Sequence, residues 1–193
     1  MSHPEKSESL KSEIENRLFG IQEYIEFKKR TNREITYISE LFLEELLNEI
    51  YKGEGYHFEN MNHKIPGYPA IDIADENKGI SYQVTVTNDS SDLKTKVNKT
   101  LEIFYKNNFD KKYNKLYIVI ASGIKAGEKL PHKKIFNING HKITVKPNLF
   151  TSKNIIDLSG LAQKEIFKRT AKFENINNVL LKISNRPEKK NTF

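Results

Sequence analysis

The chain contains no cysteine and no tryptophan, and its longest apolar run, residues 116–121, is only six residues long. The absence of cysteine excludes a disulfide framework and thiolate zinc sites, and it suits a cytoplasmic location. The apolar run is too short to cross a membrane, which takes roughly 20 residues. The first residues show no basic region followed by an apolar stretch, so we predict neither a signal peptide nor a membrane partner.

Charge is distributed unevenly along the 193 residues, although the net charge is only +7. Residues 1–90 contain 10 Lys and Arg against 17 Asp and Glu, whereas residues 91–193 contain 22 against 8. A basic half of this kind favours a polyanionic partner, with nucleic acid as the first candidate. A lysine-rich proteome would produce the same composition, so charge alone does not decide the function.

The chain length fits one domain with a helical extension at its amino end. We predict an extension over residues 1–34, a main domain over residues 35–184 and a frayed end over residues 185–193. The first helix, over residues 10–30, follows from apolar residues at spacings of three and four: Leu10, Ile14, Leu18, Ile21 and Ile25. This narrow stripe suits packing on one partner or on a second copy, so a homodimer through this helix is one expectation.

The remaining pattern predicts helices around a short mixed sheet, which is an α/β fold. Further helices are expected over residues 36–51, from Ser90 or Ser91 to about residue 107, and over residues 159–184. Strands are expected over residues 56–61, 70–75, 80–87 and 115–122, with a hairpin over residues 135–145 that turns at Asn139 and Gly140. The strand over residues 115–122 is apolar throughout, which is typical of a strand buried on both faces.

The hairpin over residues 70–87 brings polar side chains together. If its turn pairs Asp75 with Ile80, the antiparallel register places Asp72 directly opposite Gln83, and opposed side chains share one face of the sheet. That face also carries Thr85 and Thr87, with Ala70 and Ala74 leaving space beside them. The other face carries core residues, namely Ile71, Ile73, Tyr82 and Val84.

A carboxylate and an amide oxygen on adjacent strands are the hard ligands that Mg²⁺ prefers. Phosphodiester cleavage commonly uses such a cation to orient water and to offset charge on the phosphate. The structural alternative is a polar strand face in contact with solvent, with Asp72 as an ordinary surface acid. The five histidines show no metal-ligand spacing.

The hairpin sequence, IDIAD followed by YQVT, resembles a variant of the core motif of the PD-(D/E)xK nucleases. More narrowly, residues 42–104 resemble the bacterial SMEK domain. The matching features are Leu46-Leu47-Asn48, Asn62, Pro69-Ala70-Ile71-Asp72, Gln83-Val84-Thr85, Lys96-Val97, Thr100-Leu101, Phe104 and the later Asn154 to Leu158. The resemblance implies a restriction-endonuclease-like fold, Mg²⁺-dependent or Mn²⁺-dependent cleavage of nucleic acid, with DNA favoured, and a role in bacterial defence beside other defence-system proteins.

The resemblance also implies roles for individual residues. Asp72 would be the principal metal ligand, with Gln83, the Val84 carbonyl and Glu40 completing the shell, and Thr85 would lie at the water or phosphate. Gln83 stands where the family pattern usually has an acid, and Thr85 stands where it usually has lysine. These departures keep open a second function, a catalytically inactive nuclease-fold module for nucleic-acid binding or assembly.

Two residues outside the hairpin are candidates to complete the site. Glu40 lies beside the apolar stripe of the second helix and resembles the helix-borne acid of many PD-(D/E)xK nucleases, with Glu44 as second choice. Lys94 and Lys96 flank the apolar face of the third helix, whereas Lys99 points away from it. Lys96 also matches a Lys-Val pair of the SMEK domain, and the alternative for all these lysines is an ordinary solvated surface.

Overall fold

The computed structural model describes residues 3–31, 34–124 and 132–184, so the predicted frayed end lies outside the described residues. Its helices are α1 (His3–Lys28), α2 (Ile35–Ile50), α3 (Met61–Lys64), α4 (Ser90–Lys106), α5 (Leu158–Leu161) and α6 (Phe173–Ser184). Its strands are β1 (Glu59–Asn60), β2 (Ile73–Asp75), β3 (Ile80–Thr85), β4 (Lys115–Ile120), β5 (Ile135–Ile138), β6 (His141–Thr144) and β7 (Ile155–Asp157). The predicted α/β class is confirmed. No helix in these ranges has the length and apolar character needed to span a bilayer.

The main sheet of the described residues has five strands in the order β1-β2-β3-β4-β7. β1, β2 and β3 are antiparallel neighbours, whereas β3, β4 and β7 run parallel. Within the hairpin, Asp75 pairs with Ile80 and Ile73 pairs with Tyr82, which confirms the predicted register. β5 and β6 form a separate hairpin whose turn residues, Asn139 and Gly140, both have positive φ, as that turn requires.

Two apolar cores lie on opposite faces of the sheet. One joins α1, α2 and α6 to sheet residues that include Tyr82, Val84 and Val119. The other joins α4 and the β5–β6 hairpin to residues that include Ile118 and Ile120. Alternate residues of β4 therefore enter different cores, which confirms that this strand is buried on both faces.

The apolar stripe of α1 is buried within its own chain. Ile14, Leu18 and Ile25 belong to the core that also contains residues of α2, α5 and α6. A second copy cannot use the same stripe, so the stripe gives no support to a dimer. The exposed side of α1 carries Phe19 and Phe27, which are 59% and 72% exposed.

β2 is shorter than predicted because the backbone turns before it. Ala70 has a positive φ of 59°, so β2 begins only at Ile73. Ala70, predicted to lie on the same face as Thr85, therefore lies outside the ladder between β2 and β3. Ile71, predicted to share a face with Ile73, instead packs in the α4-side core, because the strand alternation does not extend to it.

Three other predicted elements are also revised. Only Glu59–Asn60 of residues 56–61 pairs as a strand, because the Asn60 side chain accepts a hydrogen bond from Asn62 N and begins α3. β3 ends at Thr85, and Thr87 lies beyond it. Residues 159–184 are not one helix: α5 continues as a π-helical turn, Ala162–Ile166, and α6 begins after a break.

Candidate functional site

Asp72 lies at the start of the hairpin, held by its backbone on both sides. Its N–H donates to Tyr82 O at 2.9 Å and its carbonyl accepts from Met61 N at 2.7 Å. Its Oδ2 accepts hydrogen bonds from Val84 N at 2.7 Å and from the side-chain amide of Gln83. Asp72 and Gln83 therefore face each other, as the register predicts.

Glu40 approaches the same carboxylate from α2. Its Oε2 accepts from Asn62 Nδ2 at 3.2 Å and from Asn60 Nδ2 at 3.4 Å. Asn62 Nδ2 also donates to Asp72 Oδ1 at 3.3 Å. Because one nitrogen contacts both acids, Glu40 Oε2 and Asp72 Oδ1 lie no farther apart than 6.5 Å, the total of the two distances.

Glu44, the second choice for the helix-borne acid, has a different role. Its Oε1 accepts from Asn60 N at 2.9 Å and so anchors the backbone of β1 to α2. Glu40 is the acid of α2 that shares a hydrogen-bond donor with Asp72.

Gln83 presents its amide nitrogen to the acid. Nε2 donates to Asp72 and also to the Val84 carbonyl at 3.1 Å. Rotation of the amide by half a turn would exchange its nitrogen and oxygen, so the same side chain can offer an acceptor oxygen at this place. The backbone of Val84 lies at the same point, since its N–H donates to Asp72 and its carbonyl accepts from Gln83 Nε2.

Thr85 is buried on the same sheet face as Gln83, and its Oγ1 accepts from Thr87 N at 3.2 Å. Lys96 is half-buried on α4, whereas Lys94 and Lys99 are exposed. The charge of Lys96 lies close enough to Asp72 to lower the pKa of its carboxyl group. Lys96 is therefore the lysine of α4 that the structure brings to the acid.

The electrostatics of the site disfavour an ionised Asp72. Burial and the nearby negative charge of Glu40 raise its pKa to about 7, against the opposing effects of Val84 N–H, Lys96 and Asn62. Asp72, Glu40 and Gln83 are each only 6% exposed. Two buried carboxylates this close together repel each other, and burial disfavours their charged forms. A bound cation would offset both effects.

The oxygen groups present fit a hard divalent cation. Asp72 and Glu40 supply carboxylates, and the Gln83 amide and Val84 carbonyl supply neutral oxygens, which is a donor set for Mg²⁺ or Mn²⁺. Within residues 3–31, 34–124 and 132–184, no three His, Cys, Asp or Glu side chains gather as a metal site. A cation here would thus depend on the neutral oxygens for part of its shell.

The two asparagines of the site are what the sequence reasoning missed. Asn62 is one of the residues that carry the resemblance to the SMEK domain, but the sequence pattern assigns no role to Asn62 or to Asn60. The available signal was the Asn-x-Asn spacing at the start of a short helix, where asparagine is a favoured cap.

Backbone strain lies next to the acid. Ala70, two residues before Asp72, adopts a left-handed conformation with φ of 59°. Such a conformation costs roughly 1 kcal/mol for a residue with a β-carbon. Strain of this kind concentrates at functional sites, where the surrounding structure holds it in place.

A comparison with protein families finds one match. A family model described as SMEK domain matches residues 13–166, about four-fifths of the chain. The matched segment runs from α1 to the end of the π-helical turn and includes every residue of the site described above. No curated protein and no solved structure matches the chain.

Proposed function

We propose that this chain, which belongs to the SMEK-domain family, is a metal-dependent nuclease with a restriction-endonuclease-like core, acting on DNA. The observation that carries the proposal is the meeting of Asp72 and Glu40 at one amide group, beside the side-chain amide of Gln83 and the carbonyl of Val84. These four groups come from α2, the start of the hairpin and β3, and the fold alone brings them together.

Each group has a role in this proposal. Asp72 and Glu40 would hold the cation, with the Gln83 amide oxygen and the Val84 carbonyl as neutral ligands. The cation supplies positive charge against the phosphate and lowers the pKa of an attacking water. Lys96 would place a positive charge beside Asp72 and the scissile phosphate, in place of the usual lysine at Thr85. The Thr85 hydroxyl would donate a hydrogen bond to the water or the phosphate.

The substrate is proposed from the charge of the second half of the chain. Residues 91–193 carry a net charge of +14, and exposed lysines on α4 and on the β5–β6 hairpin would contact phosphates along the backbone. We place this activity in the cytoplasm, in bacterial defence beside other defence-system proteins.

Cleavage of a supercoiled plasmid in Mg²⁺ or Mn²⁺ tests the proposal. We expect the wild type to nick or linearise the plasmid, and Asp72→Ala and Glu40→Gln to lose at least 100-fold in rate. Asp92→Asn, which changes an exposed acid in the first turn of α4, is the matched control and should cleave normally. Cleavage that survives Asp72→Ala would overturn the site. RNA of the same sequence, assayed in parallel, distinguishes the two nucleic acids.

A specific observation favours the second function, a catalytically inactive module. Both carboxylate oxygens of Asp72 accept hydrogen bonds from protein donors, and Thr85 cannot carry the charge of a lysine. Failure of the wild type to cleave, together with retained DNA binding in a gel-shift assay, would favour this module.

A further inference from the structure

Asn62 holds a fixed orientation at the centre of the site. Its Oδ1 accepts a hydrogen bond from Tyr68 N at 3.1 Å, and its own backbone N–H donates to Asn60 Oδ1 at 2.9 Å. Because Tyr68 N is a donor, the amide oxygen must face it, and the NH₂ group of Asn62 must face the two acids. If the amide were rotated, its NH₂ group would face the Tyr68 N–H, and its oxygen would face the oxygens of Glu40 and Asp72. Both contacts would be repulsive.

The NH₂ group of Asn62 has two hydrogens, and it donates one hydrogen bond to each of the two acids. One bond goes to Glu40 Oε2 at 3.2 Å and the other to Asp72 Oδ1 at 3.3 Å. Asn60 adds a second donor to Glu40 Oε2 and is almost completely buried. Neither asparagine occupies Oε1 of Glu40, and Asn62 takes only one of the acceptor positions of Asp72 Oδ1.

We propose that Asn62 is a positioning residue that sets the spacing of Asp72 and Glu40 for one shared divalent cation. This inference rests on the proposed metal site and extends it. An amide nitrogen is not a ligand for Mg²⁺ or Mn²⁺, so Asn62 acts through the two acids. It holds one oxygen of each acid by a hydrogen bond, and the acceptor positions that it does not occupy would remain available to a cation. Removal of a group that orients metal ligands in this way typically weakens metal binding by about 10-fold to 100-fold.

Mn²⁺ binding to the full chain, without nucleic acid, tests this role. Free Mn²⁺ is followed by electron paramagnetic resonance and binding heat by calorimetry, for the wild type, Asn62→Ala and Asp72→Ala. We expect Asn62→Ala to bind Mn²⁺ 10-fold to 100-fold more weakly than the wild type. In the cleavage assay, its half-saturating Mn²⁺ concentration should rise by the same factor, while the rate at saturating Mn²⁺ stays close to that of the wild type.

Asn48→Ala is the matched structural control. Asn48 makes three hydrogen bonds to backbone groups, with Glu44 O, Phe58 O and Phe58 N, and none of these bonds involves Asp72 or Glu40. Its loss should lower the melting temperature without changing the Mn²⁺ affinity of the folded protein. Equal weakening of Mn²⁺ binding in Asn48→Ala and Asn62→Ala would overturn the proposal, as would unchanged binding in Asn62→Ala.

Asn62→Asp separates positioning from general packing. Aspartate keeps an acceptor for Tyr68 N but replaces the NH₂ group by a carboxylate oxygen that faces the two acids. We expect this variant to melt at a lower temperature than the wild type at pH 8 without cation. Mn²⁺ should then raise its melting temperature by more than it raises that of the wild type, because a third carboxylate joins the site. A smaller rise would contradict the proposal.

The outcomes distinguish this inference from the nuclease proposal. Mn²⁺ binding that depends on Asp72 and Asn62 in a protein that does not cleave would support the inference and overturn the nuclease activity. If cleavage and Mn²⁺ binding depend on Asp72 but do not change in Asn62→Ala, the nuclease proposal is supported and the role of Asn62 is overturned. A wild type that binds no Mn²⁺ would overturn both.

Discussion

The backbone N–H of Val84, in β3, donates a 2.7 Å hydrogen bond to the side chain of Asp72, which immediately precedes β2. The carboxylate thus takes the place of the backbone carbonyl that a longer β2 would have offered to β3. The result is a strand that begins at Ile73, three residues later than predicted, and an acid that is fixed against β3. Without this bond, the Val84 N–H would be a buried donor with its strand partner missing.

The first prediction concerns Asp72 and pH. Its pKa in the folded protein is raised to about 7 from an ordinary value of 3.8, so the folded state binds a proton that the unfolded state releases. This contribution to the free energy of unfolding is complete below pH 3.8 and is lost as the pH rises to about 7. Asp72→Asn cannot titrate. Between pH 5 and pH 8 the wild type should therefore lose roughly 2.5 kcal/mol relative to the variant.

Urea unfolding at pH 5, 6, 7 and 8, without divalent cations, measures this difference. The absolute stability of Asp72→Asn also reflects its altered bond to Asn62, so only the slope with pH is decisive. A stability difference that stays constant across this range would contradict the raised pKa.

The second prediction concerns the lysines of α4 and depends on the nuclease proposal. Lys96 is half-buried and its charge acts on Asp72, whereas Lys99 is exposed on the same helix. Lys96→Ala should lower the rate of plasmid cleavage by about 10-fold to 100-fold. Lys99→Ala removes the same charge from the chain and at most one of several phosphate contacts, so its rate at saturating plasmid should stay within about twofold of the wild type. Similar rates for the two variants would remove Lys96 from the site.

The third prediction tests the hairpin turn that sets the register of Asp72 and Gln83. Gly79 has a φ of 66°, and a β-carbon there would lie 2.8 Å from Asn114 Nδ2 and 3.3 Å from Asn114 N. Gly79→Ala should lower the free energy of unfolding by about 2–4 kcal/mol, since backbone strain adds to overpacking. Equilibrium unfolding in urea measures the loss.

Gly53→Ala is the control for the strain alone. Gly53 has a φ of 79° but nothing within 4 Å of an added β-carbon, so the loss should be about 1 kcal/mol. If both variants lose the same amount, the close approach of Asn114 contributes nothing to the turn.

The fourth prediction concerns Gly20, which lies within α1 with open space around its missing side chain. Gly20→Ala should raise the free energy of unfolding by about 0.5–1 kcal/mol, because alanine loses less conformational entropy in a helix interior. An unchanged or lower melting temperature in calorimetry would indicate that this part of α1 is not helical in solution.

Local patterns were sufficient to predict much of the site. Alternation along β3 and the turn after Asp75 placed Asp72 against Gln83, because a two-residue period and one turn determine an antiparallel register. The helical spacing around Leu43 likewise placed Glu40 at the edge of the buried stripe of α2. Each of these inferences spans only a few residues of the chain or one hairpin.

The features that the sequence did not reveal depend on contacts between distant segments. β2 begins late because the backbone turns at Ala70, and the Asp72 side chain then takes the place of a strand carbonyl opposite Val84 N–H. No alternation of residue types reveals either feature. Residues 155–157 form a strand because β4 lies beside them. The apolar stripe of α1 is buried because α6 packs against it. The sequence of one short segment does not show which distant segment will pack beside it.

The sequence by itself determined the α/β class, the hairpin register and the placement of Asp72 opposite Gln83, since all three depend on periodicity and turn chemistry. Only the tertiary structure decided that Glu40 and Asn62 reach Asp72 and that burial raises its pKa. The physical reason is that hydrogen bonding and desolvation depend on distances in space, which sequence separation does not set.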